Sequence, residues 1–374
     1  MAAVPTQRPP FRADHVGSLL RPPDLRQAFR DVAGKRIDDA GFARIQDNAI
    51  RDVVAMQEAA GMQAVTDGEF RRGSYWGRFV EGLKGFVIKP ASFKFRDGKG
   101  SMLDFTAPYA AGKIVREEPL ALDEYAFMRD ITKDRPHLLP KITVPSPSTL
   151  HYYRFDDFGD RSIYPDEDEF FADVAKVFNE EIRALTDAGC RYIQFDEVAV
   201  AMLGDPVVRD QTVKLGQDPD RLLGRYIDLI NAAVAGAPAD CLFGVHMCRG
   251  NLKGHFLADG GYDLIAERFF GETNVTHFLL EYDSVRAGDF TPLAHVPKDK
   301  GVVLGLVSSK RPDLEARDDL KARIMDAAKY CDADRLAISP QCGFASTVGG
   351  NPVTPDDQSA KLRLCVEVAK EVWG

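Results

Sequence analysis

No stretch of the chain approaches the roughly 20 consecutive apolar residues that cross a bilayer. The opening residues, MAAVPTQRPPFRADH, lack the apolar core of a secretory leader. Both absences lead us to expect a cytoplasmic chain with no membrane partner. Cysteine is sparse and scattered, as Cys190, Cys241, Cys248, Cys331, Cys342 and Cys365. That excludes the dense disulfide framework of a small secreted domain and makes reduced thiols the default. Basic runs are missing too: the formal net charge of −9 is spread over mixed-sign segments, so nothing tracks a phosphate backbone and nucleic acid is not an expected partner. There is no internal repeat, low-complexity tract or Pro-rich linker to mark a second domain, and residues 1–374 read as one catalytic domain.

The chain does have enough apolar material, 45% of 374 residues, for one large α/β core. Short β-branched and aliphatic runs recur between stretches of helical periodicity, the pattern of parallel strands joined by crossover helices. The runs are Asp14 to Leu19, Ala64 to Glu69, Lys141 to Pro145, Tyr192 to Glu197, Leu242 to Cys248, Phe278 to Tyr282, Val302 to Val307 and Leu336 to Pro340. Between them, Phe170 to Ala188 places Phe171, Val174, Phe178, Ile182 and Leu185 at helical spacing before Gly189. Eight such strands favour a (β/α)8 barrel over an open doubly wound sheet. The interval of about 84–134, between the second and third strands, exceeds one crossover and predicts an inserted hairpin followed by a helix near Leu122 to Ile131.

Polar residues gather at the C-terminal ends of these strands: Ser18, Asp67 and Glu69, Asp196 and Glu197, His246 and Cys248, Glu281 and Asp283, and Cys342. In a barrel those ends converge on the mouth that carries the active site. His246 and Cys248 lie two apart on a strand, so both side chains share one face. With Glu281 and Cys342 they make a tetrahedral donor set suited to zinc. A lone buried cysteine is more often a small core filler, but four ligand types at four strand ends outweigh that reading. The set suits activation of a thiol: coordination deprotonates it, and two thiolates with a carboxylate leave zinc too neutralised for strong Lewis-acid hydrolysis.

The segments HVGSLLRP, TDGEF, IQFDE, VHMCRGN, LLEYDS and ISPQCGF resemble, in order, the strand-end motifs of the catalytic barrel of cobalamin-independent methionine synthase. The resemblance runs from about Arg12 to the C-terminus and implies a short relative without the additional N-terminal barrel of the larger members. It implies zinc on His246, Cys248, Glu281 and Cys342, with Gly17 and Ser18 holding an amino-acid carboxylate and Glu69 with Asp196 holding its amino group. Two acids suit a buried ammonium; the plain alternative is an ion pair with Arg71, Arg72 or Arg191. The sequence departs from the family at Val307, where full-length enzymes carry a histidine that helps protonate the leaving folate nitrogen. It departs again at STLHYYRF, where Tyr152 or Tyr153 replaces a tryptophan that stacks on folate.

The resemblance therefore implies methyl transfer to homocysteine from a methylated folate, a methyl-corrinoid or another small carrier, with a homo-oligomer as a further expectation. Two alternatives stand beside it. One is alkylation of a sulfonate-bearing thiol, as in epoxyalkane:coenzyme M transferases, served by Arg71, Arg72, Arg249, Lys310 and Arg311; the other is a non-catalytic zinc or methyl-carrier binding protein.

Overall fold

A computed structural model of the protein describes residues 8–96 and 100–374. The leader-free reading of residues 1–7 and the tip of the insertion at 97–99 lie outside the described residues. Among the described residues twelve strands run in chain order: β1 (Ala64–Val65), β2 (Leu83–Pro90), β3 (Phe95–Arg96), β4 (Met102–Leu103), β5 (Thr106–Arg116), β6 (Leu139–Pro140), β7 (Ile142–Pro145), β8 (Tyr192–Glu197), β9 (Leu242–Met247), β10 (His277–Glu281), β11 (Gly301–Val307) and β12 (Leu336–Pro340). Strands β7 to β12 pair in that order, each parallel to its neighbours. β1 pairs in parallel with β6, and the amide of Lys141, between β6 and β7, donates to Val65 O at 2.8 Å.

The ring closes through the segment before β1. Ala13 bridges Ile338 of β12 in parallel, the amide of Asp14 donates to Ile338 O at 3.0 Å, and that of Leu19 donates to Gly68 O at 3.1 Å. The architecture is the (β/α)8 barrel expected from the pattern. Strands β7 to β12 are buried at every position because helices cover the outside and side chains fill the inside, which is why they read as largely apolar runs interrupted only by a few polar residues. The helix Glu167–Asp187 is typical of the cover. Asp166 caps its first turn, Phe170, Val174, Phe178 and Leu185 go inward, and the chain leaves it at Gly189, φ +98°.

Two expected strands are shorter than their apolar runs suggest. Asp14 to Leu19 has no strand residue, the one bridge being made by Ala13 just before it, and the chain bends at Gly17, φ +129°, where an added Cβ would sit 2.5 Å from Thr143 Cγ2. Ala64 to Glu69 is strand only at Ala64–Val65, because Gly68 (φ +69°) and Glu69 (φ +61°) turn the chain in left-handed conformations. The inserted hairpin is present as an antiparallel ribbon of β2 and β5, followed by a helix at Leu122–Thr132. The ribbon leans on the loops after β7 and β9. Ser92 N donates to Tyr153 O at 2.8 Å, and Arg96 N to Phe256 O at 2.8 Å.

Candidate active site

β9 carries His246 and Cys248 toward the barrel mouth, and the turn after β12 brings Cys342 beside them. One ligand atom from each lies within 4.8 Å of the other two, and the sulfurs of Cys248 and Cys342 are 3.7 Å apart. Leu279 O sits 3.2 Å from His246 Nδ1, so Nδ1–H donates there and the Nε2 lone pair is turned inward. Nε2 is buried and has no partner. Burial opposes charge on His246, but Cys248 first, then Asp196 and Glu281, raise its pKa. The Cys342 hydrogen bond holds the Cys248 thiol well below its usual range, against burial, with His246 assisting; the same bond and burial raise Cys342. An orphaned imidazole nitrogen facing two sulfurs fits a borderline-soft divalent ion such as zinc.

Glu281 does not share that cluster of atoms. Its Oε1 is 2.5 Å from Arg286 Nη2 and 3.5 Å from Lys310 Nζ, while Oε2 accepts from the amide of Arg249 at 2.6 Å. Against burial, Lys310, Arg286 and Arg249 hold its pKa far below the carboxylate range.

Glu69 and Asp196 line the same cavity as the cluster, which also meets Ser18, Tyr75, Tyr153 and Asn251. Glu69 Oε1 accepts from Thr143 Oγ1 at 2.9 Å, but Oε2 is buried without a partner. Burial, then the Glu69 charge, push the Asp196 pKa up to about 7. The ion-pair alternative holds for Glu69, which forms a buried ion pair with Arg72, and finds no partner for Asp196. Arg71 pairs with Asp47 at 2.5 Å and Arg191 with Asp240 at 2.9 Å. Arg72 bonds Glu124 at 2.5 Å and lies 3.8 Å from Glu69. Two acids facing one cavity with an unused oxygen form a receptor for a cation. Ser18 reaches the cavity because Gly343 has no side chain: an added Cβ would stand 1.8 Å from Ser18 Oγ. The bend at Gly17 aims the Ser18 turn there.

None of the cations proposed for a sulfonate lines the cavity, and all but Arg311 are engaged elsewhere. Besides the pairs of Arg71 and Arg72, Arg249 donates to Gly260 O at 2.5 Å and Lys310 to Gly250 O at 3.2 Å, while Arg311 is exposed.

Tyr152 is placed differently from the expectation. It is fully buried, stacks on Phe93 with ring centroids 5.3 Å apart, and lines neither chamber of the mouth. Tyr153 takes the cavity position, its hydroxyl 3.0 Å from that of Tyr75. The two tyrosines lie in the turn that follows the 3-10 helix Pro147–Leu150, and there their side chains point to different sides, so only Tyr153 faces the opening. Sequence reasoning missed Tyr75 and Asn251. The signal for both was adjacency: Tyr75 follows TDGEF within one turn, and Asn251 ends VHMCRGN. Beyond this neck lies an outer chamber of about 900 Å³ walled by Trp76, Phe95, Phe105 and Leu252.

Residues 11–371 match the family model described as cobalamin-independent synthase, catalytic domain. The uncharacterized protein YxjH of Bacillus subtilis (strain 168) is 38% identical over 370 residues, covering 98% of this chain and 96% of that protein. The methionine synthase of Pyrococcus furiosus is 26% identical over 329 residues, covering 88% and 85%. A solved structure from Listeria monocytogenes, described as a candidate vitamin-B12-independent methionine synthase, superposes with a TM-score of 0.75 at 30% identity, covering 97% and 98%.

Proposed function

The chain belongs to the cobalamin-independent methionine synthase family, and from that premise we propose that it is a zinc-dependent S-methyltransferase with homocysteine as acceptor. The observation that carries the reading is the shared cavity: His246, Cys248 and Cys342 at one wall, Glu69 and Asp196 at another. Zinc, when bound, lowers the pKa of a coordinated thiol into the neutral range. His246, Cys248 and Cys342 would hold it, with Glu281 beside them.

The protein's own residues select and orient the acceptor. Glu69 and Asp196 take its ammonium, which supplies the hydrogen bond missing at Glu69 Oε2, adds to the charge of Arg72 and relieves the repulsion between the two carboxylates. Ser18 and the Gly17 turn take its carboxylate. Tyr153, with Tyr75 and Phe95, covers the cavity and excludes water from the reacting sulfur. None of the cations named for a sulfonate thiol lines the cavity, which favours the amino-acid thiol.

A matrix of thiols against methyl donors, run on metal-verified protein, tests this. Homocysteine is expected to be the best acceptor. Adding it to cobalt-substituted protein without donor is expected to intensify sulfur-to-metal charge transfer. Preference for coenzyme M, or an unchanged cobalt spectrum, would overturn the proposal.

A further inference from the structure

The two chambers of the mouth are alike in charge. The inner one contains Glu69 and Asp196, the outer one Glu81, and among the described residues no lysine or arginine lines either. The outer chamber is walled by Tyr75, Trp76, Phe95, Phe105 and Tyr153. Phe105 meets Phe95 and Tyr153 edge to face, with centroids 4.9 and 5.1 Å apart, so the rings form one continuous wall. Aromatic faces carry negative quadrupole charge and attract cations, and a carboxylate at the rim adds to that field. With the acceptor's ammonium seated on Glu69 and Asp196, a donor bearing several carboxylates would still meet Glu81 and no lining counter-charge in the outer chamber.

We propose that the outer chamber takes a small methyl-onium donor, a sulfonium or a quaternary ammonium compound; this rests on the methyltransferase reading above. Tyr75 and Tyr153 line both chambers, so an onium methyl seated among the rings points through the neck toward the inner cavity. The acceptor thiol first loses its proton to solvent. Its sulfur electron pair then attacks the methyl carbon, the carbon–sulfur or carbon–nitrogen bond breaks, and that electron pair leaves with a neutral thioether or tertiary amine. No acid has to protonate the leaving group. Val307, buried and apolar at the end of β11, offers no proton, whereas a folate amine requires one.

The test uses the zinc-loaded full chain with homocysteine and five donors: S-methylmethionine, dimethylsulfonioacetate, glycine betaine, 5-methyltetrahydrofolate triglutamate and methylcobalamin. An onium donor is expected to exceed the folate in kcat/KM by about 10²-fold or more, the loss associated with a missing acid, and to exceed methylcobalamin, which carries no onium methyl for the aromatic wall to hold. The ranking of sulfonium against ammonium identifies the source. A second readout needs no turnover. Choline is expected to bind roughly tenfold tighter than its uncharged isostere 3,3-dimethyl-1-butanol, and Tyr153→Leu or Trp76→Leu to weaken choline by roughly three- to thirtyfold. Preference for the triglutamate or methylcobalamin, or equal binding of the two isosteres, would overturn the inference. Failure of the underlying reading looks different, because homocysteine would then leave the cobalt spectrum unchanged.

Discussion

Buried charge stands at two levels of the barrel axis, and the two levels are treated in opposite ways. At the N-terminal ends of the strands, the three ammonium protons of Lys141 go to Asp14 Oδ1 at 2.8 Å, to His15 O and to Gln194 Oε1 at 3.1 Å. Asp14 also accepts from Tyr192 OH, which lies 2.8 Å from His277 Nε2. At the C-terminal ends, Glu69 Oε2 and His246 Nε2 are buried with no partner. Gln194 joins the levels, because its amide accepts from Lys141 and donates to Asp196 Oδ1 at 2.7 Å. The closed set around Lys141 and Asp14 holds the barrel together, although His15 beside them keeps both ring nitrogens unpartnered; the open valences of Glu69 and His246 differ from those of His15 in facing a cavity that a ligand can fill.

The comparison breaks most visibly at the metal cluster. Cys248→Ser and Cys342→Ser are each expected to reduce bound zinc from about one per chain to below about a tenth, read by elemental analysis of the folded protein. Full metal content in both variants would refute the site. Next comes the floor: Lys141→Met strands Asp14 and should cost about 3–5 kcal/mol in urea denaturation, with much of the loss recovered when Asp14→Asn is added. A loss below about 1 kcal/mol would show that the floor pairing is not structural.

Acid sharpens the contrast because the levels respond with opposite sign. Burial depresses the pKa of His15 to about 4 and of His277 to about 3, so their contribution is complete above about pH 6.5 and is lost as pH falls toward those values. Asp196, raised to about 7, binds its proton more readily folded than unfolded and contributes stability that grows as pH falls from 7 toward 4. Asp196→Asn should therefore steepen the loss on acidification, and His277→Gln should flatten it, by on the order of 1–3 kcal/mol between pH 7 and pH 5. Parallel pH profiles for the two variants would contradict the contrast. Smaller still, Asp196→Asn should lower kcat/KM for homocysteine by roughly 10–100-fold, while a thiol lacking the amino group changes less than about threefold. Equal losses for both thiols would remove the amino-group assignment.

The fold was legible wherever a strand is buried on both faces, since Tyr192 to Glu197 or Leu336 to Pro340 can be little else between amphipathic stretches. It was less legible where tertiary contacts override the local pattern. The run Asp14 to Leu19 looks regular until the close approach of Gly17 to Thr143 bends it. At the site, residue types at strand ends pointed to the cavity, and His246, Cys248 and Cys342 do converge. Side-chain direction within the consecutive pair Tyr152 and Tyr153 carried no local signal. Neither did the burial of Lys141, which reads as an ordinary strand-opening lysine until Asp14 and Gln194 arrive from distant segments.

The seam where Ala13 meets Ile338 gives the barrel a timetable. The ring cannot close until its last strand exists, and Cys342 follows that strand by two residues. Cys248 precedes Cys342 by 94 residues, so at a synthesis rate of about 5–20 residues per second a growing chain presents two ligands for roughly 5–20 s before the third. Ring closure and completion of the ligand set are thus a single late event. A chain released into a metal-poor cell leaves the ribosome with its barrel complete and two thiols side by side, 3.7 Å apart, where an oxidant would find both at once.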